Sequence, residues 1–175
     1  MKKLARLTAL LLTGALLLVL TACGAVAEPE TETEQQAKQR LLKEINSYRA
    51  SIHLDSLVEV KELSAAEQVW AEQFRAAGKT ELPESETKET YKKWESMTAD
   101  WTCCGDFGWG WDEREDGEPI DILSAKVPAN TPEGKAELWT ALRGSDAFDN
   151  ECKSIGIAVV TIDGQMYWTC DVFLD

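Results

Sequence analysis

The sequence has little of what catalysis or nucleic-acid binding needs. Its 175 residues include a single histidine, His53, which excludes any site built on two imidazoles. Positive charge is also scarce, since 18 Lys and Arg face 31 Asp and Glu and the formal charge is −13. Nucleic acid is therefore not an expected partner, because phosphate binding depends on Lys and Arg. With 44% hydrophobic and 28% charged residues, the composition is that of a single folded domain.

Long apolar runs are lacking as well. The one at residues 7–20 has 14 residues, fewer than the roughly 20 that a membrane-spanning helix needs. It follows Lys2, Lys3 and Arg6, and a basic start before a short apolar core is typical of a secretory signal. The run ends in Leu-Thr-Ala-Cys-Gly at residues 20–24, which resembles the bacterial lipobox. This resemblance implies lipidation of Cys23 and export to the outer face of the bacterial cytoplasmic membrane.

Three segments follow from this interpretation. Residues 1–22 are the lipoprotein signal peptide, and their removal takes away three positive charges, which changes the formal charge from −13 to −16. Residues 23–36 hold the lipidated Cys23 and an acidic tether, which we expect to be disordered because its acids repel one another and it lacks apolar periodicity. Residues 37–175 form the folded domain. The acyl chains on Cys23 make the membrane an expected partner.

Apolar periodicity predicts four helices and a C-terminal hairpin. The helices are expected from residue 37 to Ile52, from a capping box of Ser64 and Glu67 to Gly78, from Ser85 to Met97 with Tyr91 and Trp94 facing inward, and from the N-cap Thr131 to Gly144. Asp163-Gly164 lies between apolar runs at 155–162 and 166–173, a pattern that predicts a two-residue hairpin turn. A further strand is expected at Pro119–Leu123.

These elements predict an α+β fold. Because the hairpin strands are apolar on both faces, helices should cover both faces. The expected architecture is a three-layer α-β-α sandwich with a small antiparallel sheet between helices.

Several segments resemble a known family. Glu-Ile-Asn-Ser-Tyr-Arg-Ala at 44–50 and Leu-Ser-Ala-Ala-Glu-Gln at 63–68 resemble the opening of bacterial CAP domains, the cysteine-rich secretory, antigen 5 and pathogenesis-related-1 superfamily, also called SCP-like. Thr-Pro-Glu at 131–133, Trp139, Ile-Gly-Ile-Ala-Val at 155–159 and Tyr-Trp-Thr-Cys-Asp-Val-Phe at 167–173 are similar to later family segments in the same order. The resemblance covers most of residues 37–175 and implies the same α-β-α sandwich.

The resemblance also implies a cleft that has lost its usual residues. Many CAP domains line this cleft with two His and two acidic residues, which in some members hold a divalent metal. Residues 79–83 and 142–147, where the two His would fall, contain none, and His53 lies just past the first helix. Asp121 corresponds loosely to a cleft Glu. We therefore expect no metal and no cofactor, and a non-catalytic binding or structural module of the cell envelope rather than an enzyme.

Four cysteines remain once Cys23 is assigned to lipid: Cys103, Cys104, Cys152 and Cys170. In an exported chain, an even number favours disulfides. The hairpin turn sets Cys170 opposite Ile157 and Cys152 opposite Asp175, an offset of about 16 Å along the strands, which is too far for a Cys152–Cys170 bridge. Cys152 and Cys170 are instead each expected to form a disulfide with a member of the Cys103-Cys104 pair. A vicinal Cys103-Cys104 redox pair and a soft-metal site are open alternatives.

Aromatic and acidic residues suggest a binding surface in the second half of the chain. The candidate residues are Trp101, Trp109, Trp111, Asp121 and Ser145, and Trp side chains beside glycines can stack on sugars or on a partner protein. The alternative for the Trp residues is packing beneath a disulfide-bound loop. The expected partners are a cell-wall glycan or an envelope protein.

Two other functions stay open: a hydrolase that acts on cell-wall or extracellular substrates through carboxylates, and small-lipid binding. The acidic run at 112–118 is expected to be a solvated turn.

Overall fold

The computed structural model describes residues 32–174, and they form an α+β fold, as predicted. Cys23, the predicted signal peptide and most of the predicted tether lie outside the described residues. The helices are α1 (Glu34–Ser51), α2 (Lys61–Ala77), α3 (Glu84–Thr98), α4 (Pro132–Arg143) and a 3₁₀ turn (Asp146–Phe148). The strands are β1 (Val58–Glu59), β2 (Glu81–Pro83), β3 (Cys103–Phe107), β4 (Trp109–Glu113), β5 (Pro119–Leu123), β6 (Ser154–Ile162) and β7 (Gln165–Phe173). None of the helices in this part of the chain has the length and apolarity needed to cross a membrane.

Two helix starts differ from the prediction. Helix α1 begins at Glu34, because Thr33 and Gln36 form a capping box there. The capping box predicted at Ser64 is wrong, since α2 already begins at Lys61 and Ser64 lies within its first turns. The Ser64 hydroxyl instead donates to Glu59 Oε1 (2.8 Å) and accepts from the amide of Ile157 (3.2 Å), so it joins α2 to β1 and β6.

The other helix signals are confirmed. Gly78 ends α2 in the left-handed conformation, with φ of 64°, which glycine adopts without a steric penalty. Thr131 caps α4 by accepting the amide of Gly134 at 3.1 Å. In α3, Trp94 faces inward as predicted, whereas Tyr91 is 42% exposed and lies at the helix surface.

The predicted hairpin forms the centre of a four-stranded sheet with the order β1-β6-β7-β3. Its register pairs Ile157 with Cys170, as the two-residue turn requires, and Asp163 and Gly164 both have positive φ. Strand β1 runs parallel to β6, so the sheet is mixed rather than purely antiparallel. The strand predicted at Pro119–Leu123 is present as β5, but it belongs to a second sheet of order β2-β5-β4.

The two faces of the four-stranded sheet pack on different helices because side chains alternate along each strand. One face, with Ile157 and Trp168, packs on α1 and α4. The opposite face, with Val160, packs on α2. Helix α2 approaches this face very closely at Gly156, where a Cβ atom would lie 2.7 Å from the main chain of Leu63.

Arg49 fixes α1 to the segment that leads into β6. Its buried guanidinium donates to four main-chain carbonyls at 2.8–3.1 Å, those of Asp55, Phe148, Asn150 and Cys152. Its neighbours act similarly: Asn46 exchanges two hydrogen bonds with the main chain of Leu57, and the Tyr48 hydroxyl donates to Asp149 at 2.9 Å. The Asn-x-Tyr-Arg pattern of the sequence therefore makes structural contacts.

One disulfide is present in the described residues, between Cys104 and Cys152, in agreement with the expectation that Cys152 reaches the Cys103-Cys104 pair. Cys103 and Cys170 are thiols, so the second predicted bridge is not formed. The register explains this difference. Cys103 pairs with Phe173 and Cys170 with Phe107, and residues 170 and 173 point to opposite faces of β7.

Candidate functional site

An aromatic cavity of about 270 Å³ lies between α3 and the second sheet. Helix α3 contributes residues at positions i, i+3, i+4 and i+7, which share one face of a helix. Strands β4 and β5 contribute the opposite wall. The lining residues are Glu84, Thr87, Lys88 and Tyr91 from the helix, and Trp109, Trp111, Pro119, Ile120 and Asp121 from the strands.

Asp121 is the buried acidic residue of the aromatic cavity, with 9% of its surface exposed. The Thr87 hydroxyl donates to its Oδ2, while its Oδ1 accepts no hydrogen bond from the described residues and is open to solvent. Burial raises the pKa of Asp121; the Thr87 hydrogen bond opposes this rise and the nearby charge of Glu84 adds to it. The carboxyl group is therefore positioned to form a hydrogen bond with a donor that enters the cavity.

Trp111 lies directly opposite Asp121 in the β4–β5 register, so their side chains are neighbours on one face of the sheet. Trp111 is 79% exposed, an unusual state for the largest apolar residue. Tyr91, across the cavity on α3, is 42% exposed. Two aromatic rings near a buried carboxyl group thus remain open to solvent.

A cluster of packed aromatic rings supports Tyr91 on the cavity wall. Trp70, Tyr91, Trp94 and Trp109 contact one another with ring centroids 5.5–6.5 Å apart, mostly edge to face, and Tyr91 stacks on Trp94. Such contacts restrict the rings, because each side chain has only two rotatable angles and is held by several neighbours. The Tyr91 and Trp109 walls are therefore pre-organised.

A second acidic feature, the carboxyl pair Glu67–Asp171, lies beneath this cluster. Glu67 of α2 and Asp171 of β7 are both buried, and Glu67 accepts hydrogen bonds from Trp94 Nε1 (2.8 Å) and the Thr169 hydroxyl (3.1 Å). Both oxygens of Asp171 lack a donor among the described residues. A proton on one of the two carboxyl groups would allow a hydrogen bond between them.

Burial raises the pKa of Glu67, and it raises the pKa of Asp171 well above its usual value of 3.8. The negative charge of Glu67 adds to the shift of Asp171. Asp106, the β3 register partner of Asp171, is itself an acid whose pKa is raised by burial. Within residues 32–174, no three His, Cys, Asp or Glu side chains are arranged to hold a metal ion. The pair is therefore best described as a buried, proton-sharing acid pair.

No protein-family model matches this chain, and no curated protein is significantly similar to it. The interpretation of the site therefore depends on its own chemistry.

The structure brings together three of the five residues that the sequence suggests for a binding surface: Trp109, Trp111 and Asp121. The other two lie elsewhere. Trp101 packs edge to face on Phe173, and Ser145 accepts the amide of Ala147 as the cap of the 3₁₀ turn.

Sequence reasoning missed the helical wall of the cavity and the buried acid pair. Glu84, Thr87, Lys88 and Tyr91 have the spacing of one helix face, which is a signal that could have grouped them. Asp171 interrupts an apolar strand, and Glu67 lies in the apolar stripe of α2. A charged residue at a buried position of a pattern is a signal for a site of this kind.

Proposed function

We propose that this chain is a lipid-anchored, CAP-like domain of the bacterial cell envelope that binds a cell-wall glycan in the aromatic cavity without transforming it. The observation that carries the proposal is the 79% exposed Trp111 directly opposite Asp121. An aromatic ring packs on the apolar face of a sugar, and a carboxylate oxygen accepts from sugar hydroxyl groups. Exposed aromatic rings with a few placed polar groups are typical of ligand sites.

The order of elements supports the CAP-like part of the proposal. A sheet with α1 and α4 on one face and α2 on the other fits the α-β-α sandwich that the family resemblance implies. The resembling Asn46, Tyr48 and Arg49 all make contacts that tie α1 to the rest of the domain.

The burial of the acid pair supports a binding role over catalysis. A catalytic acid has to contact its substrate, and Glu67 and Asp171 are buried beneath the aromatic cluster. His53 lies in the turn after α1, outside the cavity lining. One observation favours the alternative of a carboxylate hydrolase: Asp121 and Glu84 both line the cavity, and the pKa of Asp121 is raised by burial.

A fluorescence titration tests the proposal. The full-length protein in detergent is titrated with soluble peptidoglycan fragments, and quenching of tryptophan emission is followed. We expect Trp111→Ala to weaken binding by about tenfold or more, as loss of an aromatic anchor does. Trp101→Ala is the matched control, because Trp101 packs on Phe173 outside the cavity, and it should bind like the wild type.

Two results would contradict the proposal. Unsaturable quenching, or equal binding by wild type and Trp111→Ala, would show that the glycan does not bind in the aromatic cavity. Release of new reducing ends from the fragments, abolished in Asp121→Asn, would establish the hydrolase instead.

A further inference from the structure

The charge around the aromatic cavity indicates which glycan it takes. Asp121 and Glu84 line the cavity, and Lys88 is the one basic residue among its lining residues. Lys88 is exposed, so its charge is screened by solvent and salt. Asp121 is buried, so its charge is screened much less.

The chain next to the cavity adds more negative charge. Trp111 and Pro119 both line the cavity, and the segment between them, residues 112–118, contains five acidic residues and one Arg. This segment is exposed: residues 112–113 end β4, and residues 114–118 form the solvated acidic turn between β4 and β5. A cluster of one sign at the edge of a cavity raises the local concentration of ligands of opposite charge.

The open oxygen of Asp121, on a buried side chain that lines the cavity, is the independent observation that points to a ligand. Asp121 is nine-tenths buried, and its Oδ2 is occupied by the Thr87 hydroxyl, whereas Oδ1 accepts no hydrogen bond from the described residues and is open to solvent. An ammonium group would satisfy it with a charge-assisted hydrogen bond, which is about twice as strong as a neutral one. The same cation would lie close to the Trp111 and Tyr91 rings, whose faces attract positive charge.

We infer that the aromatic cavity selects a saccharide unit with a free, protonated amine over its N-acetylated form, with the ammonium group on Asp121 Oδ1 and the sugar ring against Trp111. This inference rests on the proposed function and specifies its ligand class. The N-acetyl group removes the positive charge and adds bulk at the same atom. It therefore loses the ion pair while the apolar face of the ring is unchanged.

The test compares two trimers that differ only in this group, the glucosamine trimer and the N-acetylglucosamine trimer. Calorimetric titration of the full-length protein in detergent, at a pH where the amine is protonated, measures both affinities. We expect the glucosamine trimer to bind about tenfold more tightly, the equivalent of one charged hydrogen bond. Added salt should weaken its binding and leave that of the acetylated trimer nearly unchanged.

Asp121→Asn is the informative variant. The Asn carbonyl oxygen can still accept the Thr87 hydroxyl, so the local structure is kept while the charge is removed. The Asp121→Asn variant should abolish the preference for the glucosamine trimer over the N-acetylglucosamine trimer. Glu133→Gln on α4, which removes one exposed acid away from the cavity lining, is the matched control and should keep the preference.

The outcomes separate this inference from the proposed function. Equal affinity for the two trimers, or a preference for the acetylated one that requires Trp111, overturns the inference and leaves glycan binding in place. A preference for the glucosamine trimer that survives Asp121→Asn also overturns it. If neither trimer binds, or if Trp111→Ala changes neither affinity, both fail together.

Discussion

Single buried side chains explain much of how this chain is held together and where its charge lies. The Arg49 guanidinium donates hydrogen bonds to four main-chain carbonyls, and Glu67 accepts hydrogen bonds from Trp94 and Thr169. Asp171 differs, because its oxygens find a partner only when a proton is shared with Glu67. The stability of the fold should therefore depend on that proton.

Asp171→Asn is predicted to change how stability depends on pH. The pKa of Asp171 in the folded state is raised well above the unfolded value, so the folded protein keeps a proton that the unfolded chain releases. This contribution to stability is fully present below about pH 4 and is lost as pH rises toward the folded pKa. Each tenfold difference in proton affinity between the two states is equivalent to about 1.4 kcal/mol. The wild type should therefore lose stability relative to Asp171→Asn as the pH rises above about 4, the usual range of an aspartate.

Denaturant unfolding across this pH range measures the effect, with Glu133→Gln as a control whose profile should parallel the wild type. The free energy of unfolding of the wild type and of Asp171→Asn should converge or cross as pH rises. Parallel profiles for the two proteins would show that Asp171 is ionised in both states and holds no shared proton.

At the scale of elements, the sequence predicts what local pattern determines and misses what distant contacts determine. The Asp163-Gly164 hairpin and the Thr131 cap depend on adjacent residues, and both are confirmed. The spacing of Ser64 to Glu67 indicates a capping box, but the Ser64 hydroxyl accepts a hydrogen bond from the main-chain amide of Ile157, 93 residues away. No local pattern contains that contact.

The cavity shows the same limit. Strand β2 has three residues and β1 has two, too few to show alternation, so neither could be predicted. Without β2, nothing in the sequence places β5 in a separate sheet with β4. The sequence suggests Trp111 through its aromatic composition and Asp121 through the family resemblance. It does not suggest Tyr91, which lines the same cavity. The helical spacing of Tyr91 predicts a ring that faces inward, because an aromatic residue in the apolar stripe of a helix usually packs in the core.

The disulfide is the prediction that belongs to this scale. Cys104–Cys152 links β3 to the segment before β6 across 48 residues of sequence, so Cys104→Ser with Cys152→Ser should lower the free energy of unfolding by about 2–4 kcal/mol. Cys103→Ser, at the exposed neighbouring thiol, is the control and should cost little. Thermal unfolding with non-reducing mass mapping checks both, and a Cys103–Cys104 or Cys103–Cys152 linkage in the map would contradict the pairing.

At the scale of the whole molecule, charge and anchoring fit together. The formal charge of −13, and −16 for the processed chain, would lie on a domain tethered to the membrane by lipid at Cys23. An acidic domain is repelled by anionic lipid, so the acyl chains rather than the protein surface would have to hold it there.

Cys23→Ala is therefore predicted to abolish lipidation of the protein. Labelled palmitate should be incorporated into the wild type and not into the variant, and mass spectrometry should show the mass of the acyl chains in the wild type only. Cys103→Ser, which removes an exposed thiol of the folded domain, should leave both results unchanged. Labelling of Cys23→Ala equal to that of the wild type would contradict lipidation at this residue.

The central claim is that the aromatic cavity is the glycan site, and the seven tryptophans provide a direct test of it. Proton–nitrogen NMR spectra of the full-length protein in detergent resolve the indole Nε1–H groups, which can be followed while soluble peptidoglycan fragments are added. We predict that the signals of Trp109 and Trp111 shift in a saturable way while those of Trp139 and Trp168, which pack on the other side of the sheet, stay in place. Saturable shifts at Trp139 or Trp168 with none at Trp111 would contradict the account.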